Sequence, residues 1–272
     1  MNNTDSDLTS RISIVSDEIS DDFSEAASFA NTLSLRNFEL RKFTEGRIPD
    51  IEATTLRKLL DGKEHFNFTL ISPGYFKHFV SDRKKTNHQT NRIQLCIDLA
   101  KRLEAKFISV FTFKRNSRDS KIPEDIYEPL LRLKDLCENN SLILLLENSP
   151  NCWADTVENL LSVAYKTGID VNWDPGNSLA SGHQNHQLYL GPLLQITKNI
   201  HLKNWGPDIG YCSILSGAYD LASEINYFLY NKYPGYFCIE HHQWNNRKES
   251  TLENLNELKS IICKFRNQAW TK

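Results

Sequence analysis

Four apolar runs in this sequence each end in a side chain able to carry charge or hold a metal. Leu142-Ile143-Leu144-Leu145-Leu146 runs into Glu147-Asn148-Ser149, and Ile169-Asp170-Val171-Asn172-Trp173 into Asp174-Pro175-Gly176-Asn177. Ile200 precedes His201-Leu202-Lys203-Asn204, and Phe237-Cys238-Ile239 precedes Glu240-His241-His242. A fifth run, Phe38-Glu39-Leu40-Arg41, puts two polar residues on one face by the period-two rule of a strand. Three carboxylates brought together without compensation repel one another and resist ionisation. A divalent cation removes that conflict, and an oxygen-rich set with one imidazole suits Mn2+, Mg2+ or Co2+, with Zn2+ also admitted. Glu147, Asp174, His201 and Glu240 are therefore the expected ligands of one divalent metal ion.

Taken singly, each of these residues has an ordinary explanation. A glutamate at a strand end is more often a solvated loop residue or a salt-bridge partner, and His201 alone reads equally as a hydrogen-bonded core histidine. Recurrence after four successive apolar runs is what singles out the set. Glu39 and Arg41 suit a structural ion pair as well as contacts to a substrate. His241 and His242 are adjacent, so on a strand they face opposite ways and at least one serves structure. Trp153, Trp173, Trp205 and Trp244 lie at or within the same strand ends, either as pocket walls or as core.

The elements that must position these residues alternate from end to end. Strands are expected near Ile12–Ser16, Phe38–Arg41, Asn67–Ser72, Phe107–Thr112, Leu142–Glu147, Asp170–Trp173, Asn199–Lys203 and Tyr236–Glu240. Helical spacing covers Phe23–Leu33, Ile51–Leu60, Arg92–Leu103, Glu124–Glu138 and Thr156–Lys166, then His186–Thr197, Tyr219–Asn231 and Leu252–Asn267. The polar, basic stretch Lys77–Asn91 reads as a long loop after the third strand. Eight β/α alternations without a composition break predict the α/β class and one closed (β/α)8 TIM barrel, whose active site is built at the C-terminal ends of its strands. The first turn, Ser16-Asp17-Glu18-Ile19-Ser20-Asp21-Asp22, contains no glycine, which argues against dinucleotide binding in an open sheet.

The gross numbers agree. The chain has 272 residues, 40% hydrophobic and 24% charged, enough for a sizeable core in one barrel. A formal charge of -2 gives no basic stripe of the kind phosphate-backbone binding requires, so no nucleic-acid partner is expected. The polar, acidic start Met1–Ser10 lacks the pattern of a signal peptide, and a disordered tail is expected over residues 1–10, followed by a single domain over 11–272. The apolar stretch Leu142–Leu146 is far too short to span a bilayer. Six scattered cysteines with no C-x-x-C pair read as free, mostly buried thiols in a cytoplasmic protein without a membrane partner.

The pattern resembles the xylose isomerase-like superfamily, which includes the sugar phosphate isomerase/epimerase family and AP endonuclease 2-type barrels. Its members include sugar isomerases and epimerases, inosose and dehydroshikimate dehydratases, and endonuclease IV. The matching residues are Asp17-Glu18-Ile19-Ser20, Glu39-Leu40-Arg41, Leu146-Glu147-Asn148, Trp173-Asp174-Pro175-Gly176-Asn177, His201-Leu202-Lys203 and Ile239-Glu240, from about Arg11 to the last helix. The resemblance implies the same four metal ligands: Glu147, Asp174, His201 and Glu240. There are departures. Ketose 3-epimerases of the superfamily place a histidine where this chain has Asn177, a second glutamate where it has Trp153 and an arginine where it has Pro207. The usual His-Leu-Lys-Asp ending is here His201-Leu202-Lys203-Asn204. Endonuclease IV also needs more histidines, including one at the position of Asn177.

The expected activity is a metal-dependent isomerase or epimerase acting on a sugar or related polyhydroxy carbonyl compound. It proceeds through an enediolate formed by proton transfer between Glu147 and Glu240. Glu39, Arg41, Asn177 and Lys203 are the expected substrate contacts. The same enolate chemistry in a dehydratase or lyase of a keto-cyclitol, dehydroshikimate or keto-glycoside is the alternative. An abasic-site endonuclease and a non-catalytic barrel stand behind it. Barrels of this type often dimerise, which leaves a homodimer open.

Overall fold

A computed structural model describes residues 8–117, 121–183 and 185–269. Eight strands close into one barrel: β1 (Ile12–Val15), β2 (Asn37–Leu40), β3 (Asn67–Ile71), β4 (Phe107–Val110), β5 (Ile143–Glu147), β6 (Asp170–Trp173), β7 (Thr197–Leu202) and β8 (Tyr236–Ile239). Each pairs in parallel with its sequence neighbours, and β1 closes the ring against β8. The helices are α1 (Phe23–Thr32), α2 (Ala53–Gly62), α3 (Arg83–Leu103), α4 (Tyr127–Glu138) and α5 (Val157–Thr167). They continue with α6 (Pro175–Ala180), α7 (Leu190–Ile196), α8 (Leu221–Tyr230) and α9 (Arg247–Ala269). Two short ribbons sit beyond strand ends: Lys42–Phe43 with Gly46–Arg47 after β2, and Asn204–Gly206 with Gly210–Cys212 after β7.

Parallel strands covered on both faces read as near-continuous apolar runs, and β5 follows that rule until its last residue. Leu144 and Leu146 join the large core shared with the helices. Leu145 points the other way and packs with Leu70, Phe107 and Tyr236. Phe107 and Tyr236 lie on β4 and β8, which are not neighbours in the ring, so this cluster fills the barrel interior. Period two then puts Glu147 above Leu145 on the same inward face. An apolar plug thus sits beneath the polar mouth.

Two expectations need correction. Lys77–Asn91 is not one long loop, because α3 begins at Arg83, where the Asp82 side chain accepts from the backbone amide of Lys85. Its first turns escaped a hydrophobicity reading because they bury threonines: the hydroxyls of Thr86 and Thr90 donate to carbonyls four residues back. Of the expected tail, residues 1–7 lie outside the described residues, while Leu8 packs against the core, so barrel contacts start before Ser10. Among the described residues no helix is long and apolar enough to cross a membrane. All six cysteines are free, and only Cys263 is exposed.

Leu145 supports the interior plug, so Leu145→Ala leaves a void beneath the mouth. It should cost about 2–5 kcal/mol. Removing the exposed Tyr165 ring by Tyr165→Ser should change stability by less than about 0.5 kcal/mol. Urea denaturation checks both, and equal midpoints for the two variants would contradict a packed interior.

Candidate metal centre and its cavity

The ends of β5 to β8 bring Glu147, Asp174, His201 and Glu240 together, with one donor atom from each all within 4.8 Å of one another. All four residues are buried. Local chemistry fixes each one. Asp174 caps α6: its Oδ1 accepts from the amide of Asn177 at 2.9 Å, and Pro175 supplies the preset first turn. That leaves Oδ2 for the centre. Gly176 permits the close approach of α6 to β7, since a Cβ there would lie 2.8 Å from both the Cγ and the carbonyl oxygen of Lys203.

His201 is aimed from behind. Its Nε2 lies 2.8 Å from Glu39 Oε2, which fixes the ring and turns Nδ1 toward the other ligands. Nδ1 has no hydrogen-bond partner, and lies 3.0 Å from Glu240 Oε2, 3.8 Å from Glu147 Oε1 and 3.9 Å from Asp174 Oδ2. Beneath it Asn199 donates to Glu39 Oε2 at 3.2 Å and to Asn172 Oδ1 at 2.9 Å, while Asn172 lies 3.4 Å from Glu147 Oε2. Asn172 and Asn199 were not singled out from sequence. Their signal was present: each lies two residues before a ligand, a polar position on the inward face of a buried strand.

Three carboxylate oxygens and an imidazole nitrogen without a hydrogen bond suit a hard or borderline divalent cation. The arrangement also contains its own cation. Lys203, expected to touch substrate, is instead fully buried, and its ammonium contacts Asp174 Oδ2 and Glu240 Oε2. Two residues after His201 on an inward face, it enters the cluster rather than the cavity. Burial works against its charge, but Asp174 and Glu240 outweigh that and raise it above the ordinary lysine range.

The charges divide the two glutamates. Burial, reinforced by Glu240 and Asp174 and opposed by His201 and Lys77, pushes Glu147 up to about 7. Burial also disfavours ionisation of Glu240, yet Lys203 and His201 outweigh it and hold Glu240 well below the usual carboxylate range. For His201, burial opposes the charge, and Glu39 and Glu240 overcome it to raise the imidazole well above its ordinary value. The same carboxylates that retain this proton favour a metal ion in its place.

Glu147 and Glu240 line a cavity of about 300 Å³ together with Arg41, Asn177, Tyr211 and His242. Glu39 does not line it, standing behind His201. Arg41 and Glu39 are also not paired with each other. The Arg41 guanidinium binds Asp17 and Glu18, each at 2.8 Å, and contacts Glu240. Asn177 Nδ2 donates to the carbonyl of Asn148 at 3.0 Å, and its Oδ1 accepts from the Tyr211 hydroxyl at 2.8 Å. Tyr211 sits on the ribbon after β7, which short strands and a Gly-Pro turn hid from a periodicity reading. The two histidines diverge: His241 is buried against Glu18 and Thr251, while His242 reaches the cavity, 3.1 Å from Glu240 Oε1. Among the tryptophans, Trp173 is core, its Nε1 donating to Glu224 at 2.6 Å, and Trp153 is buried. Trp244 is exposed at the rim, stacked on His242.

Lys203→Met leaves Asp174 and Glu240 with less compensation. The metal-free protein should lose about 3–5 kcal/mol, while Mn2+ affinity by calorimetry should rise. Weaker Mn2+ binding in the variant would contradict competition between the ammonium and the ion for the same oxygens. The pH response has a defined sign. Protonated Glu147 stabilises the metal-free fold at low pH, and that contribution is lost as pH rises through about 7. Ligation needs the deprotonated form, so Mn2+ affinity should rise at least about tenfold from pH 6 to pH 8. A flat profile would reject this linkage.

Comparison with known proteins agrees with the barrel. The family described as xylose isomerase-like TIM barrel matches residues 30–261. No curated protein sequence matches the chain. Among solved structures, the probable 3-DHS dehydratase AsbF, involved in petrobactin synthesis, from Bacillus anthracis is 17% identical with TM-score 0.74, covering 92% of this chain and 98% of that one. The IOLI protein with a bound zinc atom is 15% identical with TM-score 0.77, covering 94% and 99%. An L-ribulose 3-epimerase is 13% identical with TM-score 0.76, covering 96% and 97%. At these identities the structures speak for the fold. The family match spans most of the chain and includes all four residues of the centre: this protein belongs to the xylose isomerase-like TIM barrel family.

Proposed function

We propose that this protein is a divalent-metal-dependent isomerase or epimerase of a polyhydroxy carbonyl compound, working by proton transfer at the carbon beside the carbonyl. The observation that carries the reading is geometric: Glu147 and Glu240 belong to the four-donor cluster of Glu147, Asp174, His201 and Glu240, and both also line the one cavity at the barrel mouth. Two carboxylates facing one cavity beside a cation site suit proton transfer to and from a bound carbonyl compound. Glu147, Asp174, His201 and Glu240 would hold the cation. When bound, it supplies Lewis-acid stabilisation of the negative charge that develops on the substrate oxygen.

The chain's own residues account for the rest. One glutamate takes the proton from carbon as the carboxylate, and the other delivers a proton as the acid. Their roles exchange in the reverse direction. Arg41 and His242 hold Glu240 Oε1 in place, and the Asn177–Tyr211 pair closes another part of the wall. Where the substrate carries a leaving group on the next carbon, the same enediolate expels it. A dehydratase or lyase outcome therefore shares the first step. The solved structures of a probable dehydratase and an epimerase on this fold are in keeping with that shared chemistry.

Incubation of the Mn2+-loaded protein with a panel of ketoses and keto-cyclitols in deuterated water tests the reading. Deuterium should enter beside the carbonyl of the true substrate, and the product spectrum separates reprotonation from elimination. Turnover without any deuterium incorporation would point to hydride transfer and defeat the proposal. Glu147→Gln and Glu240→Gln should each lower turnover by at least about 100-fold. Full activity in either variant would remove that residue from its role.

A further inference from the structure

The mouth of the barrel is charged unevenly. Asp174, His201 and Glu240 come from the ends of β6 to β8, on one side of the ring. The same cavity is lined from the β2 to β4 side by Arg47, Ser72, Lys77 and Phe111. Arg47 stands on the ribbon that follows β2, and Ser72 and Lys77 lie in the segment leaving β3.

The cations on the two sides are in different states. Arg41 and Lys203 are saturated with carboxylates, and Arg115 is tied to Asp155 at 2.6 Å. Arg47 and Lys77 form no ion pair among the described residues. Arg47 reaches only the Ser72 hydroxyl, at 3.4 Å, and the Lys77 ammonium lies 4.1 Å from the centre of the Phe111 ring. The backbone makes room for this arrangement. Gly74 has φ +72°, and a Cβ there would lie 2.4 Å from Arg47 Nε and 2.6 Å from its Cζ. The guanidinium therefore lies directly across a bare stretch of main chain, beside a hydroxyl, and lines the same cavity as the Lys77 ammonium. A planar fork, a hydroxyl and an ammonium converging on one cavity is a donor set that a carboxylate or phosphate completes. A neutral sugar hydroxyl leaves both charges uncompensated.

We infer that Arg47, Lys77 and Ser72 form an anion-binding end of the cavity, so that the substrate is a polyhydroxy carbonyl compound carrying a carboxylate or a phosphate ester. This rests on the reading of the cavity as the substrate site. The reacting end of the molecule lies toward Glu147 and Glu240, and the anionic end toward β2 and β3. The arrangement also sets orientation, because the carboxylate-rich side repels the anionic group. Arg47 and Lys77 are specificity-determining residues in this scheme and take no part in the proton transfer.

The test is binding, measured by calorimetry on the full chain loaded with Mn2+ at low ionic strength. D-glucose, D-glucuronate and D-glucose 6-phosphate make a matched set that differs only at the sixth carbon. One or both anions should bind at least about tenfold more tightly than glucose, and the tighter of the two identifies the group. Arg47→Gln and Lys77→Gln should each remove about tenfold of that preference. Both side chains are exposed, so melting temperatures should not move. High KCl should compress the preference by screening. Equal binding of all three sugars, no binding of either anion, or a preference that survives both substitutions would overturn the inference. The outcome is separable from the proton-transfer reading: anion preference without deuterium exchange refutes only the chemistry, and exchange without anion preference refutes only this site.

Discussion

The structure turns on the compensation of negative charge buried at one end of the barrel. Asp17, Glu18, Glu39, Glu147, Asp174 and Glu240 are all buried there. A carboxylate taken out of water costs several kcal/mol unless partners replace its solvation. Arg41 answers Asp17, Glu18 and Glu240 at once, with a guanidinium fork that a lysine does not offer. Lys203 answers Asp174 and Glu240, and His201 answers Glu39 and Glu240. Glu147 has only weaker compensation, 3.8 Å from His201 Nδ1, and burial pushes it up to about 7; burial also raises Asp174 and Asp17 above the ordinary carboxylate value, against the pull of Lys203 and Arg41. The inequality belongs to the metal-free cluster, and it marks Glu147 as the carboxylate with most to gain from a cation bound among these donors.

Such a cluster needs a rigid frame, and the frame is built in layers along the barrel axis. Leu70, Phe107, Leu145 and Tyr236 close the interior below. Above them Glu39, Asn172 and Asn199 form a polar layer whose hydrogen bonds fix the ring of His201 and reach Glu147. The ligands and Lys203 make the top. Successive inward residues on a strand are two apart, so the pleat that seats an apolar side chain low in the barrel seats a polar one nearer the mouth. Leu145 and Glu147 share β5, and Asn199, His201 and Lys203 follow one another on the inward face of the seventh strand and its end.

Much of this was legible in the sequence because strand ends carry their own signal. An apolar run stopping at Glu147, at Asp174 or at Glu240 marks where a barrel opens, and the eight alternations marked the barrel itself. What the sequence did not show were partnerships across the ring. That Glu39 backs His201 depends on strands two and seven facing each other across the interior, 162 residues apart in sequence. Lys203 looked like a substrate contact because a lysine near a ligand histidine ordinarily reaches solvent. Only the packing of Gly176 against its stem shows why this one turns inward. The start of α3 was hidden by composition, since buried threonines that satisfy their hydroxyls on the helix backbone leave no apolar stripe.

The same geometry explains how a shared scaffold leaves reaction type open. The strand ends that carry the candidate metal-binding set come from the fifth to eighth strands, where α6 capped by Asp174 and the inward Lys203 leave little freedom. The wall facing them is made of connecting segments: the ribbon after β2, the turn at Gly74, and the segment after β4 that carries Phe111. These segments are anchored in the core through Phe43, Tyr75, Phe76 and Phe113, while Arg47 and Lys77 stand exposed beside the cavity, where change disturbs packing least. On the proposed reading, proton transfer would belong to the inner layers, and the identity of the compound to the outer wall. The chain's departures at Asn177, Trp153 and Pro207 from the ketose-epimerase pattern fit this division. Trp153 is buried core, and Asn177 is bonded to Asn148 and Tyr211 as part of the wall. Asn177 is thus a departure that lines the cavity, while Trp153 is one that packs in the core.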